Sequence, residues 1–589
     1  MTTSPYNVVA DDIDIVARPV AVADVDPSTL QTGEITDGTD VEVLEELDVL
    51  ETVVLEKKNP CVLKTLLTGL PSPSSILWSL VTFAINMGLV AMVADLTYRA
   101  ALFFPAHDLS LVRLGYVSES SANLLVREPD YSHLPITLSY RPVDMSHTSS
   151  IGRKRFDNIW KSADTIRWLS RDTDFTAAIT ISPLTPDTRY QYVLSNNHSG
   201  YFITAPPIGQ ISRQSVREKF TFLHTSCLKA HFPYNPLDRP LHIPGLKYLA
   251  KWLSQLKPAF ILFLGDFIYI DVPRRHGSDI STYRREYRQV YASPDWPSVS
   301  NDGENDLPWL HVYDDHEIAN DWSANITGVY PAAFDPYNHY HVSVNPPSYG
   351  QPPAPSSLST RRNNDIPYFT FTQGPASFFM LDTRRFRSDS PRPTMLGPTQ
   401  LSSLLVWLSS PTPPGVHWKI VVSSVPFTKN WRVNAQDTWA GYLSERRVIL
   451  EAMWTASTAS GVGIVVLSGD RHEFAATAFP PPEDNGGKWV VGSTVHEFSA
   501  SPLSMFYLPV GTYLQDDSED VCIKYIPKGN SKFGAVEVEK ETGSGMSVLH
   551  YRLFVDGEEV WSHVLVAGVR VEGVSRSQAR MGDVIGKRN

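Results

Sequence analysis

Cysteine is scarce: the 589 residues hold three, Cys61, Cys227 and Cys522. Three cannot build a disulfide framework and none sits in a CxxC pair, so a stapled small scaffold and a zinc ribbon are both excluded. There is no basic stripe, the electrostatic footprint of a nucleic-acid binder, and no nucleic-acid partner is indicated. Excess acid is missing from most of the chain. Residues 1–60 hold 14 Asp and Glu against 3 Lys and Arg, whereas the other 529 residues carry 49 acidic and 48 basic side chains. The net charge of −12 therefore belongs to a tail. That tail has almost no aromatics, and a loosely ordered segment is expected over 1–70. The chain is 42% apolar, enough for a sizeable core, and too long for one ordinary domain.

One long apolar run stands out. Ile76 to Ala94 (ILWSLVTFAINMGLVAMVA) is 19 residues without a charge. A helix over it spans ~28 Å, about one bilayer core. It starts too far into the chain for a cleavable signal peptide. A buried helix of a soluble domain is the bland alternative. We read 71–105 as a transmembrane or membrane-associated helix. Lys57, Lys58 and Lys64 precede it and Arg99 and Arg113 follow. That bias puts the tail in the cytosol and the larger body on the lumenal or extracellular side, and one such run makes the protein single-pass. Two glycosylation sequons, at Asn197 and Asn325, are near the number chance gives.

From about 107 to 207 short runs such as SANLLVRE, PITLSYRP and TRYQYVLS alternate with turn residues. This period predicts a β-sandwich over 106–210. From 220 the rhythm is strand, helix, strand. LKYLAKWLSQLK puts Leu246, Leu249, Leu253 and Leu256 on one helical face, and FILFLGD reads as a buried strand. TQLSSLLVWLSS and SERRVILEAMWTA read as helices before the strands WKIVVSS and GIVVLSGD. The alternation predicts a layered α/β domain over 211–570, closed by antiparallel strands after 531. Segment 343–360 is rich in Pro and Ser and reads as a surface insertion. Residues 571–589 read as a second tail.

Four apolar strands end in residues able to hold a metal. TFLHTSC ends at Cys227, and FILFLGD at Asp266 with Tyr269 three residues on. WLHVYDDHE supplies Asp314, Asp315, His316 and Glu317, and IVVLSGDRHE supplies Asp470, His472 and Glu473. In open α/β sheets ligands bind beyond the carboxyl ends of strands. Each stretch alone is ordinary: an Asp after a strand is usually a loop residue and a buried Cys usually a small hydrophobe. Four together are not. So many carboxylates repel unless a cation neutralises them. Carboxylates suit hard cations, while Cys and Tyr suit a ferric or similar ion, and one carboxylate between two ions can bridge them.

SC, GDFIY, DDHE, LDTRRFR and GDRHE, in this order, resemble the PhoD-like alkaline phosphatases of the metallophosphoesterase superfamily. GDFIY also matches the GD-x-x-Y motif shared with purple acid phosphatases. The likeness covers roughly 108–565. It implies a metallophosphoesterase-type α/β/β/α catalytic domain preceded by a fibronectin type III-like sandwich. It also implies metal-dependent hydrolysis of phosphate esters. By position, Cys227, Tyr269 and His472 would ligate ferric iron and Asp266 would bridge. Asp315 and Asp470 would hold a second ion, so that the centre is dinuclear or multinuclear, Fe(3+) with Ca(2+) or another divalent ion. His316 would be a proton donor or phosphate contact. Arg384 would hold phosphate oxygens bidentately, or a salt bridge to Asp382 or another carboxylate. Asp314 and Glu317 would orient neighbours. Leu228 stands where the family often has Gln, GDRH replaces GDVH, and SSVPF at 423–427 offers no extra His ligand. Two alternatives share the scaffold: a lipid or glycolipid phosphodiesterase, which a membrane anchor would serve, and a non-catalytic binding module.

Overall fold

The computed structural model describes residues 62–72, 75–143, 159–215, 218–300, 306–350, 366–388, 393–484, 486–540 and 546–568. Residues 1–61 of the expected acidic tail, residues 351–360 of the expected insertion and the C-terminal tail lie outside the described residues. The chain divides into two compact units, Met1–Asp95 and Leu96–Asn589.

In the first unit the described residues form helices Val62–Thr68 and Ile76–Ala94. Ser75 caps the second by accepting from the Trp78 amide, and Asn86 Nδ2 donates to the Gly69 carbonyl at 2.8 Å. Only Thr82 of Ile76–Ala94 is buried, and Ile76 is 82% exposed. An evenly apolar helix left uncovered is the opposite of an amphipathic surface helix, whose apolar stripe faces a core. With its continuation to Phe103 it is long and apolar enough to cross a membrane.

The second unit holds two pairs of sheets. Strands Leu111–Val117, Ala122–Arg127 and Thr176–Ile181 form one small antiparallel sheet. Lys161–Ile166, Ile136–Pro142, Arg189–Leu194 and Ser199–Ile203 form another. Alternate side chains from both, among them Leu124, Ile179, Leu138, Tyr192 and Phe202, fill one core. Buried polar contacts fasten this part to the rest of the unit: Asp174 accepts from Arg288 at 2.8 Å and from Tyr340 at 2.7 Å, and Tyr192 donates to Asp306 at 2.6 Å.

The larger sheets carry the α/β body. In the six-stranded sheet, Trp309–Val312, Ile261–Leu264 and Phe220–Thr225 run parallel, followed by antiparallel Lys532–Lys540, Ser547–Val555 and Glu558–Ala567. The seven-stranded sheet has Ala376–Met380, Trp418–Val422, Gly463–Ser468 and Val495–Ala500 in parallel at its centre. Every residue of Ile261–Leu264 and Trp309–Val312 is buried, as parallel strands covered on both faces require. Their period of two sorts them between cores. Leu262, Leu264 and Val312 meet Ile420, Val422 and Val465 between the sheets. Ile261, Phe263 and Trp309 face outward against Leu246, Leu249, Leu253 and Leu256 of helix Pro244–Leu256. On the far side Val421, Ile464 and Val466 pack under helices Gly397–Ser409 and Leu443–Ser460. The three helices read from the sequence lie in place.

Helix Val62–Thr68, inside the stretch 1–70 expected to be loosely ordered, escaped sequence reading, and so did Ile280–Tyr291 and Tyr330–Tyr340 in the second unit. Ile280–Tyr291 does carry a helical face of Tyr283, Tyr287 and Val290, set among arginines, and Tyr330–Tyr340 contains Pro336. The start of the expected surface insertion is corrected outright. Val344 and Asn345 are buried, and a Cβ on Gly115 would come within 2.4 Å of the Val344 carbonyl. Residues 343–345 are thus wedged against the first sandwich sheet.

Candidate metal centre

The parallel strands of both large sheets deliver their next residues to one edge. Ser226-Cys227 follows Phe220–Thr225, Gly265-Asp266 follows Ile261–Leu264, Asp314 to Glu317 follow Trp309–Val312, and Gly469-Asp470 follows Gly463–Ser468. Two glycines let these loops close together. A Cβ on Gly265, which has φ +98°, would come 2.5 Å from the Asp314 Cβ. A Cβ on Gly469 would come 2.3 Å from the Ser226 hydroxyl. Cys227, Asp266, Asp470 and His472 all have positive φ. For non-glycine residues that conformation is held by its surroundings and clusters at functional sites.

Asp266 is the hub. Its Oδ2 accepts from the Cys227 thiol at 3.3 Å and from the Tyr269 hydroxyl at 3.2 Å, and Tyr269 Oη lies 2.9 Å from His472 Nε2. Ligand atoms lie within 4.8 Å of one another in three groups that share it: Cys227, Asp266 and His472; Asp266, Asp315 and His316; Asp266, Asp314 and Asp470. A fourth group joins Asp315, Asp321 and Asp437. Four buried carboxylate oxygens, Asp266 Oδ1, Asp314 Oδ2, Asp315 Oδ1 and Asp470 Oδ2, have no hydrogen-bond partner among the described residues. Buried oxygens without hydrogen bonds are costly, and the ion pairs of Asp315 Oδ1 with Arg384 and of Asp470 Oδ2 with Arg471 are long, at 3.6 Å each. Cations held by these groups would give those oxygens partners.

The electrostatics agree. Burial, with Asp266 beside it, pushes both the Cys227 thiol and the Tyr269 phenol well above their ordinary values. Burial also raises Asp266 strongly, Asp470 to about 8 and Asp314 to about 6. Burial lowers His472 to about 3, which keeps the imidazole neutral, the form that ligates. A thiol, a phenol and crowded carboxyls that resist ionisation on their own become ligands when a positive ion is present. The donor set fits a metal.

A second tier holds this set in place. Glu317 accepts from the backbone amides of Asp266 at 2.9 Å and Asp314 at 2.8 Å, and from that of Phe267. It ties two ligand loops together, the orienting role expected of it. Asp314 falls in one of the ligand groups, and its Oδ1 accepts from Ser424 at 2.8 Å. His316 Nδ1 lies 2.6 Å from Asp271 Oδ1. Burial works to lower its pKa, but Asp315, Asp266 and Asp271 outweigh that and raise it well above the usual value.

All six residues expected to hold metal, Cys227, Asp266, Tyr269, Asp315, Asp470 and His472, lie around this point, with His316 among them. Arg384 stands one layer behind. It is fully buried, donates to both Asp437 oxygens at 2.6 and 2.8 Å, and pairs with Asp314. The bidentate partner is therefore Asp437, not Asp382, which instead accepts from the Arg384 and Arg385 amides at 3.0 Å and from Tyr313. Its fork is filled by carboxylate, where a phosphate clamp needs an open one. Against the effect of burial, Arg384 and Arg387 hold Asp437 down at about 2. Sequence reading missed Asp271, Asp321 and Asp437. Asp271 had a signal, a carboxylate two residues beyond Tyr269; the other two sit well down the loops that follow Trp309–Val312 and Trp418–Val422, away from the strand ends.

A family model described as PhoD-like phosphatase matches residues 220–544, more than half of the chain. Alkaline phosphatase D of Bacillus subtilis (strain 168) is 26% identical over 333 residues, covering 49% of this chain and 52% of that protein. The chain thus spans about half the length of this curated relative. A solved structure titled "Structure of PhoD" aligns with TM-score 0.51 and 19% identity, covering 77% of this chain and 88% of the other. That last likeness concerns the fold alone.

Proposed function

The chain belongs to the PhoD-like phosphatase family, and from that premise we propose that it hydrolyses phosphate esters at a centre of two or more cations. The observation that carries this is Asp266: one buried carboxylate common to three ligand groups, amid buried carboxylate oxygens without a hydrogen-bond partner among the described residues. Cys227, Tyr269 and His472 would hold one ion, Asp315 with Asp314 or Asp470 another, and Asp266 both. The thiol and phenol favour Fe(3+) for the first, and the all-carboxylate side favours Ca(2+) or another hard divalent ion for the second. Bound cations supply Lewis-acid polarisation of the phosphoryl group. The layered α/β/β/α arrangement of metallophosphoesterases and a fibronectin type III-like sandwich at 106–210 accord with the shared cores of each sheet pair.

His316 holds the working proton. Asp271 fixes Nδ1, and the surrounding carboxylates keep the ring charged beside Asp266 and Asp315. From there the other ring nitrogen can give a proton to a departing alcohol oxygen, a step worth ~10²–10⁴ in rate. Glu317 and Arg384 position the ligand loops and touch no substrate in this reading. Inorganic phosphate release and nitrophenolate release from mono- and bis-ester substrates, before and after chelation and with metals restored, test the proposal. A protein inert on both classes at full metal content would be a binding module instead.

The exposed apolar helix supports a single membrane pass at 76–94, with the larger unit lumenal or extracellular by the charge bias. Alkaline carbonate extraction of the full chain tests the anchor: retention in the membrane pellet supports it and release overturns it.

A further inference from the structure

Between Met505 and Thr512 the chain crosses the surface as Phe506-Tyr507-Leu508-Pro509-Val510-Gly511. Both ends are pinned. The Met505 amide donates to the Asn530 carbonyl at 3.2 Å. The Thr512 amide donates to Tyr525 Oη and its hydroxyl to Glu473, each at 2.9 Å. Yet Phe506, Leu508 and Val510 are 42%, 37% and 64% exposed, and Leu514 beyond them is 63% exposed. Several apolar side chains held in water on one pinned loop offer a binding surface. Pro509 restricts the backbone further, so the loop presents them in a set order.

This surface begins at the metal centre. The Phe506 ring lies edge-on to His472 with centroids 5.5 Å apart, and 6.3 Å from that of Phe232. The Phe506 backbone hydrogen-bonds His472, and Phe232 packs on the buried cluster of Cys227, Tyr269 and Met505. The apolar strip therefore starts one ring away from a candidate ligand and runs outward. Tyr98, four residues past Ala94, lies edge-on to His276 at 6.0 Å and accepts from Arg274 at 2.5 Å, on the loop that follows Tyr269.

We propose that the loop seats the apolar portion of the substrate, which is a phosphate ester of a long-chain, lipid-like alcohol. This rests on the phosphoester reading above and adds the substrate class. The phosphoryl group sits at the centre and the alkyl chain lies along Phe506, Leu508 and Val510. Water forms the new P–O bond, the P–O bond to the alcohol breaks, and the alcohol leaves with a proton.

The test uses the full chain, in detergent and in phosphatidylcholine nanodiscs, with two matched pairs: ethyl and octyl phosphate, and ethyl and octyl 4-nitrophenyl phosphate. The octyl member of the hydrolysed pair should show kcat/KM at least tenfold above the ethyl member. Leu508→Ser with Val510→Ser should cut that preference at least fivefold in both media and leave the ethyl ester within twofold, which also reports correct folding. Ethyl hydrolysis without an octyl preference in the unaltered protein overturns the proposal whatever the variant does. A preference that survives the double substitution overturns it too. Loss confined to nanodiscs would assign the loop to the bilayer and so reject a substrate seat. Hydrolysis of neither pair overturns the phosphoester reading, and this inference with it.

Discussion

Arg384→Lys separates two roles for one buried cation. The guanidinium donates to both Asp437 oxygens, at 2.6 and 2.8 Å, and to Asp314. A lysine keeps the charge but reaches one of these partners, so at least two charge-assisted hydrogen bonds are lost. At ~1.5–3 kcal/mol each the loss is about 3–6 kcal/mol. Asp314 and Asp437 flank the ligand groups, so the carboxylates should drift and release metal. The expected result is a lower melting temperature and reduced metal content, with KM unchanged in the fraction that stays loaded. Thermal melts, metal analysis and nitrophenyl phosphate kinetics on the same preparation read all three. Normal melting and full metal with KM raised tenfold would refute the reasoning and return Arg384 to the phosphate.

His316→Ala should keep its metals and lose ~10²–10⁴ in rate, with a smaller loss for nitrophenolate than for alkoxide leaving groups; equal losses would reject proton donation. Tyr269→Phe should abolish the visible charge-transfer band expected of ferric iron with a phenolate ligand, and a colourless active parent protein would reject iron. His224 is fully buried, lies 2.9 Å from Tyr551 Oη, and is lowered to about 3 by burial. Unfolded, it binds a proton below about 6.5, so stability present above that pH is lost as pH falls from 6.5 toward 3. At pH 5 the loss is about 2 kcal/mol, and His224→Gln should flatten the fall in melting temperature between pH 7 and 5; identical slopes would contradict it.

Much of this centre was legible because parallel strands are written as apolar runs that stop abruptly. Cys227, Asp266, Asp315 and Asp470 each follow such a run, and topology sends all four to one edge. Helix Pro244–Leu256 was legible for a related reason, its leucine face having one core to meet. Asp437 and Asp321 were not. They lie in loops without periodicity, and their place beside Asp315 depends on contacts more than a hundred residues apart in sequence for Asp437. Arg384 could be seen as important but not for what; only the position of Asp437 shows that its fork is occupied. Helix Ile280–Tyr291 was hidden because its buried face includes Glu286, Arg288 and Gln289, residues that a hydropathy pattern counts as solvent-facing.

The account turns on Asp266 as the shared ligand of more than one cation. Metal content and phosphoester hydrolysis of Asp266→Asn, measured side by side with the unaltered protein, test this most directly. Removing one negative charge from between cations should lower bound metal and rate together, with both groups of ligands affected. An Asp266→Asn protein that keeps its full metal complement and near-normal turnover would contradict the claim.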